Sequence, residues 1–343
     1  MQSALFDRKS LTIEALAKRR HDLDITAVRP LVAAAQTGRN EKICEAARAI
    51  IAAREKQSAV ILMMGAHVLR AGVQNYLIDL MERGYISCIA ANGAVMIHDF
   101  EFAFIGATTE SVARYIREGQ FGLWRETARL NDIINQAYAD DKTTGMGQAV
   151  GAFLEKSNFP YKSISILAAG YRLGVPVTIH VGIGYDIIHE HPNCDGAATG
   201  ALSYNDFLKF ASVVQNLQNG VIMNFGSAVM APEVFLKALS MARNVLRGQN
   251  KSITNFTSLV CDLAELPDNV DKEPSRDNPA YYFRPWKTML VRTVADGGKG
   301  FYVKGEHSKT IPALWGAIND AESKVGKSSR HKSAGKEPAK AEI

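Results

Sequence analysis

Between Ala59 and Glu101 the spacing of apolar positions changes three times. Val60 to Met64 is an unbroken apolar run, the pattern of a strand buried on both faces of a parallel sheet. Gly65 stops it. Val68, Gly72, Tyr76 and Leu80 then recur at helical spacing, up to Gly84, a residue suited to a left-handed helix end. Ile86 to Ala91 is a second apolar run, closed by Asn92-Gly93. The pattern predicts a strand–helix–strand unit with a glycine turn at the carboxyl end of each strand. Open parallel sheets bind their ligands at that edge.

The alternation continues along the chain. Ahead of the unit, Glu41 to Lys56 is amphipathic, with Ile43, Ala47, Ile50 and Ile51 sharing a face. Phe100 to Phe104 opens another predicted helix, and Thr108-Thr109-Glu110 resembles a helix cap. Residues 110–156 are predicted mostly helical, with interruptions near Gly145 and Gly147, and Ile164 to Leu173 is a further helix. In the second half Val175 to Val181, Val221 to Phe225 and Ile253 to Val260 are predicted strands. Tyr204 to Leu217 is a predicted helix, as is the stretch from Pro232 to about Leu246, with the proline in its first turn. A polar, proline-punctuated loop runs from Pro267 to Pro285. Met289 to Val294 and Gly300 to Val303 follow as late strands, and Thr310 to Ala321 as a closing helix. Strands alternating with helices give the α/β class, a single large doubly wound and mostly parallel Rossmann-like sheet. It is expected over residues 41–322, behind an N-terminal arm of residues 1–40.

Charge adds the other boundary. Lys324, Lys327, Arg330, Lys332, Lys336 and Lys340 against Glu337 and Glu342 give the tail a charge of +4, leaving +1 of the chain's +5 for everything before it. A tail with little to bury is expected to be disordered from residue 323 onward. The remaining body has no basic excess to suggest a specific nucleic-acid partner. No apolar run reaches the length of a membrane span, and the N-terminus has no signal-peptide core. Cys44, Cys88, Cys194 and Cys261 show no framework spacing, so reduced thiols and a cytoplasmic setting are expected.

The candidate chemistry lies in the glycine turns. Asn92-Gly93, Gly182-Ile183-Gly184 and Gly226-Ser227 each end a predicted strand, and Gly65 makes a fourth. Glycine lets the backbone approach a ligand closely, and a following helix N-terminus favours phosphate. Four such turns along one edge point to a dinucleotide, although the GxGxxG fingerprint is absent.

These residues, in this order, resemble the deoxyhypusine synthase family and its bacterial relatives from about Val60 to Ile318. The resemblance rests on Gly65-Ala66-His67 with Gly72, then Asn92-Gly93-Ala94-Val95 followed by Asp99 and Glu101. Gly184-Tyr185-Asp186, Phe225-Gly226-Ser227-Ala228-Val229 and Arg284-Pro285-Trp286-Lys287-Thr288 complete it. It implies a deoxyhypusine synthase-like NAD-binding fold. Gly65, Ala66, His67, Asn92, Gly93, Asp99, Glu101, Gly182, Gly184, Gly226 and Ser227 would then contact NAD. The implied activity is an NAD-dependent transferase that moves an aminoalkyl group of an amine or polyamine through an imine on an enzyme lysine. Lys287 would be that nucleophile, with Arg284 and Trp286 tuning it and Trp286 stacking on an alkylammonium. Asp186 would hold an ammonium group, and His189 or His191 would replace a family histidine that is absent at Met230-Ala231-Pro232. The family assembles as tetramers and passes the group to a protein lysine, so a homo-oligomer and an acceptor protein are implied.

Two departures qualify the match. Lys287 directly follows Trp286, one position short of the family lysine, and the acidic loop is matched only by Asp262, Glu265, Asp268 and Asp277. The first half also resembles the NAD-binding domain of a group of ornithine cyclodeaminases. An NAD-dependent deaminase or cyclase of a basic amino acid is therefore the second reading, and an inactive NAD-binding scaffold the third. His189-Glu190-His191-Pro192-Asn193-Cys194 fits no common structural zinc spacing, so no metal is expected.

Overall fold

The computed structural model describes residues 4–32 and 40–333. Among these residues there are eight strands: β1 (Leu23–Asp24), β2 (Val60–Met64), β3 (Cys88–Asn92), β4 (Ala107–Thr108), β5 (Val177–His180), β6 (Val221–Phe225), β7 (Thr257–Asp262) and β8 (Lys299–Lys304). β1 and β4 form a small antiparallel pair. The other six form one parallel sheet in the order β5-β3-β2-β6-β7-β8. Counted along the chain, those six run 3-2-1-4-5-6, the order of doubly wound dinucleotide-binding sheets. The order reverses between β2 and β6, where Met64 lies opposite Phe225. The ligand crevice of such a fold opens at the carboxyl ends of those two strands.

The apolar run of β2 is continuous because helices cover both faces. Leu62 and Met64 enter a core shared with the helices Glu41–Glu55, Gln74–Glu82, Gly93–Ile105, Ile166–Leu173 and His307–Ser333. Ile61 and Met63 enter a second core with Gly196–Val214, Met230–Gly248 and the π-wound turns Trp286–Arg292. Every β2 side chain is at most 2% exposed. Each such side chain contributes about 1.5–3 kcal/mol on burial, so a charge anywhere in the strand would break the sheet centre.

Several elements differ from expectation for identifiable reasons. The helix predicted across Val68 to Leu80 is two, His67–Arg70 and Gln74–Glu82. It breaks at Gly72, whose φ of +72° brings its backbone against the arm. A Cβ there would lie 1.8 Å from the Ala27 carbonyl oxygen, and the Arg29 amide donates to the Gly72 carbonyl. Phe100 to Phe104 lies inside a helix that already begins at Gly93, and Ser111, not Thr108-Thr109-Glu110, caps the next one. Met289 to Val294 is not a strand: Met289 and Leu290 are buried in the turns that end at Arg292, and a short apolar run cannot separate the two cases. The closing helix runs to Ser333, past the expected start of the tail, and residues 334–343 lie outside the described residues.

Candidate functional site

At the reversal of strand order, the turns after β2 and β6 touch backbone to backbone. A Cβ on Gly65 would sit 2.4 Å from the Gly226 carbonyl oxygen, so no side chain fits. Gly226 has a φ of +64°, and a Cβ there would meet His307 Nε2 at 2.3 Å. Asn224, buried in β6, holds this turn: it accepts from the Ser227 amide and donates to the Ser227 carbonyl. Ser227 Oγ in turn accepts from the Ala231 amide.

Around these glycines stand His67, Arg70, His307 and Asp262. Arg70 Nη1 is 3.4 Å from His67 Nε2, and the His307 ring packs against Phe225 with its buried Nδ1 unpartnered. Burial and then the positive Arg70 lower the His67 pKa. Burial also lowers that of His307, with Asp262 opposing it in both cases. Both rings are therefore neutral at pH 7. The sequence reading missed Arg70 and His307; no local pattern marks them, because the fold alone carries the start of the closing helix to β6.

A second group lies at the ends of β3 and β5. Asn92 caps the helix Gly93–Ile105 by accepting from the Val95 amide. A Cβ on Gly93 would lie 2.1 Å from Asp186 Oδ2, so glycine is what lets that carboxylate reach the turn. Asp186 is 7% exposed, its Oδ2 has no partner, and burial pushes its pKa up to about 6. His189 Nδ1 accepts from the Gly184 amide at 3.2 Å. The neutral ring must therefore carry its proton on Nε2, and that buried donor has no partner either. An idle acceptor and an idle donor from one loop are what a polar ligand would complete. Gly182 and Gly184 shape this loop: the Tyr185 ring lies over Gly182, and Gly184 has a φ of +87°.

Asp99 and Glu101 depart from the expectation that they contact the cofactor. Asp99 accepts from Ser165 Oγ and from the amides of Ile166 and Leu167, capping another helix. Glu101 receives both nitrogens of the Arg19 fork and the hydroxyls of Thr108 and Thr127. Burial alone would raise its pKa, but Arg19 and these donors hold it below the usual carboxylate range. Both carboxylates are spent on holding the chain together.

Lys287 and Trp286 lie on the other face of the sheet, over β7 and β8. Trp286 is 3% exposed and donates Nε1–H to the Val270 carbonyl, so it is core. Lys287 is also buried, and its Nζ sits 3.5 Å from the centre of the Tyr281 ring. Arg284 forks onto Glu233 and does not tune the lysine. From β3 to β7 is three strand spacings, roughly 14 Å at about 4.8 Å each. The structure thus brings together Gly65, His67 and Gly226, and separately Gly93, Asp186 and His189, with Lys287 over strands distant from the second group.

The His189 to Cys194 segment diverges. His191 Nε2 bonds the Gly122 carbonyl and Cys194 Sγ faces Thr199, and no group of three potential metal ligands occurs among the described residues. Nor, among the described residues, is any helix long and apolar enough to cross a membrane.

A sequence profile of the C-terminal, Rossmann-fold region of ArgZ-like arginine dihydrolases matches residues 44–137. Two curated proteins described as deoxyhypusine synthase-like, from Chlorobaculum parvum and Chlorobaculum tepidum, are 21% identical over 228 residues. The alignment covers 59% of this chain and 63% of theirs, less than two thirds of the relatives' length. The chain is thus distantly related to deoxyhypusine synthase-like proteins. Among solved structures it is similar to ArgZ, an arginine dihydrolase from the ornithine–ammonia cycle in cyanobacteria, at 15% identity and a TM-score of 0.46 over 83% of this chain and 33% of that one. It is also similar to AgrE, solved as a ternary complex with ornithine and NAD+, at 12% identity and a TM-score of 0.49 over 84% of this chain and 35% of that one.

Proposed function

We propose that the protein is an NAD-dependent enzyme acting on an alkylamine or polyamine, whose aminoalkyl group passes through an imine on Lys287. The observation that carries the amine is the idle pair of Asp186 Oδ2 and His189 Nε2–H beside the Gly93 turn. A buried carboxylate without a partner is costly unless a ligand supplies the charge, and an ammonium group does so.

The dinucleotide rests on the strand order and on the bare backbone contact of Gly65 with Gly226. The Gly65-Ala66-His67 and Gly226-Ser227 turns would hold one part of NAD and the Asn92-Gly93 turn another, with the nicotinamide supplying a hydride acceptor. The residues here fit that group: the glycines bring the β2 and β6 turns together at the strand ends, and the neutral His67 and His307 present polar ring edges without adding charge. Lys287 must leave the face of Tyr281 before it can meet a substrate carbon. The family resemblance further implies a homo-oligomer with a protein lysine as acceptor, and the cysteines, without framework spacing, a cytoplasmic setting.

The match of residues 44–137 to the ArgZ-like profile favours a second reading. In it the same crevice serves a deaminase or cyclase of a basic amino acid, and Lys287 is dispensable.

The test is direct. Purified protein is examined for bound NAD by mass and absorbance, then given a panel of diamines, polyamines and basic amino acids while reduced nicotinamide is followed. Borohydride added during turnover should fix the substrate's carbon chain to the Lys287 peptide. Turnover of ornithine with ammonia release, undiminished in Lys287→Ala, would replace the transferase by the second reading. Failure to bind NAD under any condition would remove both.

A further inference from the structure

His98 is a partly exposed imidazole on the helix Gly93–Ile105, and the reading above gives it no role. Its Nδ1 lies 2.7 Å from Thr108 Oγ1, and the Thr108 hydroxyl, fully buried, lies 2.6 Å from Glu101 Oε2. A hydroxyl has one proton to give. Glu101 is an ionised acceptor, held so by the Arg19 fork and Thr127, so the Thr108 proton goes to it. Thr108 can then only accept from His98. The ring therefore carries its proton on Nδ1, and Nε2 keeps its lone pair, with no partner among the described residues.

Two further features fit this arrangement. Thr109, next to the hydroxyl that sets the tautomer, has a φ of +63°. A β-branched residue pays strain in that region, and such strain gathers at functional sites. Besides Glu101, the charged neighbours of the His98 ring are Arg70 and Arg19, and the neutral His67 ring is also near. His67 and Arg70 follow the Gly65 turn, and their short helix packs on the one that carries His98. His98 thus lies on the helix packed against the one that follows the Gly65 turn at the reversal of strand order. Burial, outweighing the opposing charge of Glu101 and helped by Arg70 and Arg19, drops its pKa to about 4, so the ring stays neutral at physiological pH.

We infer that Arg19, Glu101 and Thr108 fix His98 in the Nδ1–H tautomer, making Nε2 a standing hydrogen-bond acceptor for an uncharged hydroxyl or carboxamide donor of a bound dinucleotide. The unpartnered carboxylate that suits an amine is Asp186, so the uncharged donor belongs here. The ligand half rests on the proposed NAD binding; the tautomer does not. Glu101 and Thr108 act through His98 and are positioning residues.

The test uses the full chain labelled with nitrogen-15, with the His98 signals assigned by their loss in His98→Gln. Without ligand, at pH 7, Nδ1 should resonate as a protonated nitrogen and Nε2 as an unprotonated one. Thr108→Ser should keep this pattern and Thr108→Val should lose it. A wild-type ring protonated on Nε2, or on both nitrogens, overturns the inference, and so does an unchanged tautomer in Thr108→Val. NAD is then titrated. It should shift the Nε2 resonance upfield, and His98→Phe should bind it roughly five-fold more weakly, the worth of one hydrogen bond, with His98→Gln in between. NAD that binds without moving the resonance overturns the ligand half alone. NAD that does not bind at all removes the dinucleotide reading and this half with it, while the tautomer stands or falls on the ligand-free spectrum.

Discussion

Replacing Asp186 by asparagine is expected to make the folded protein more stable at alkaline pH, which is unusual for a buried polar side chain. The carboxyl is 7% exposed, Oδ2 has no partner, and burial raises its pKa from 3.8 to about 6. A folded-state pKa above the unfolded one means that the folded state binds the proton more tightly. Its contribution is thus fully present below about pH 4 and is lost as pH rises through 6. At roughly 1.4 kcal/mol per pKa unit, the ionised carboxylate costs the fold about 3 kcal/mol at pH 8. Asparagine carries no charge to desolvate, so Asp186→Asn should gain most of that at pH 8 and little at pH 4. Denaturant unfolding of both proteins at the two pH values measures it, and other titrating groups cancel in the comparison. A variant no more stable than wild type at pH 8, or one shifted equally at both pH values, would refute the reasoning. A carboxylate kept at such a cost is consistent with a cationic ligand. A substrate amine should therefore stabilise the wild type more at pH 8 than at pH 5, and leave the variant unmoved.

Two further outcomes follow from the packing. Gly65→Ala places a methyl 2.4 Å from the Gly226 carbonyl, so the β2 and β6 turns must part. Overpacking of this kind costs about 1–3 kcal/mol, and thermal unfolding should fall by a few degrees while NAD affinity drops out of proportion. Arg19→Met leaves Glu101 buried and uncompensated, which should cost about 3–5 kcal/mol in denaturant unfolding. Adding Glu101→Gln should recover part of the loss, and a double variant as unstable as the sum of the singles would contradict the pairing.

The sheet was largely legible in the sequence, because burial on both faces writes itself as an unbroken run. Val221 to Phe225 matches β6 at both ends, and Val60 to Met64 matches β2. What failed was local pattern overruled by distant packing. Gly72 reads as one more apolar helix position, and only the arm at Ala27 explains why it is glycine and why the helix stops there. At the site, glycine turns and Asp186 could be picked out because backbone shape and a carboxylate near a turn have sequence signatures. Whether a carboxylate is idle or spent has none. Asp99 and Asp186 look alike in sequence, but Ser165 and two helix amides occupy the first, whereas the second lacks a partner on Oδ2. His98 sat inside a motif whose acidic members drew attention, and its role depends on a hydroxyl ten positions away.

The ring of His307 roofs Gly226, so the most central turn of the sheet is finished by the last helix of the described fold. That helix also ties back to the first half, where Trp315 donates to Asp79 and Arg83 pairs with Glu322. During synthesis, then, all six strands of the parallel sheet are made before the side chain that covers its central turn. Ligand can reward folding only at the end of translation, and a nascent chain arrested before residue 307 should gain nothing from NAD however well its strands have assembled.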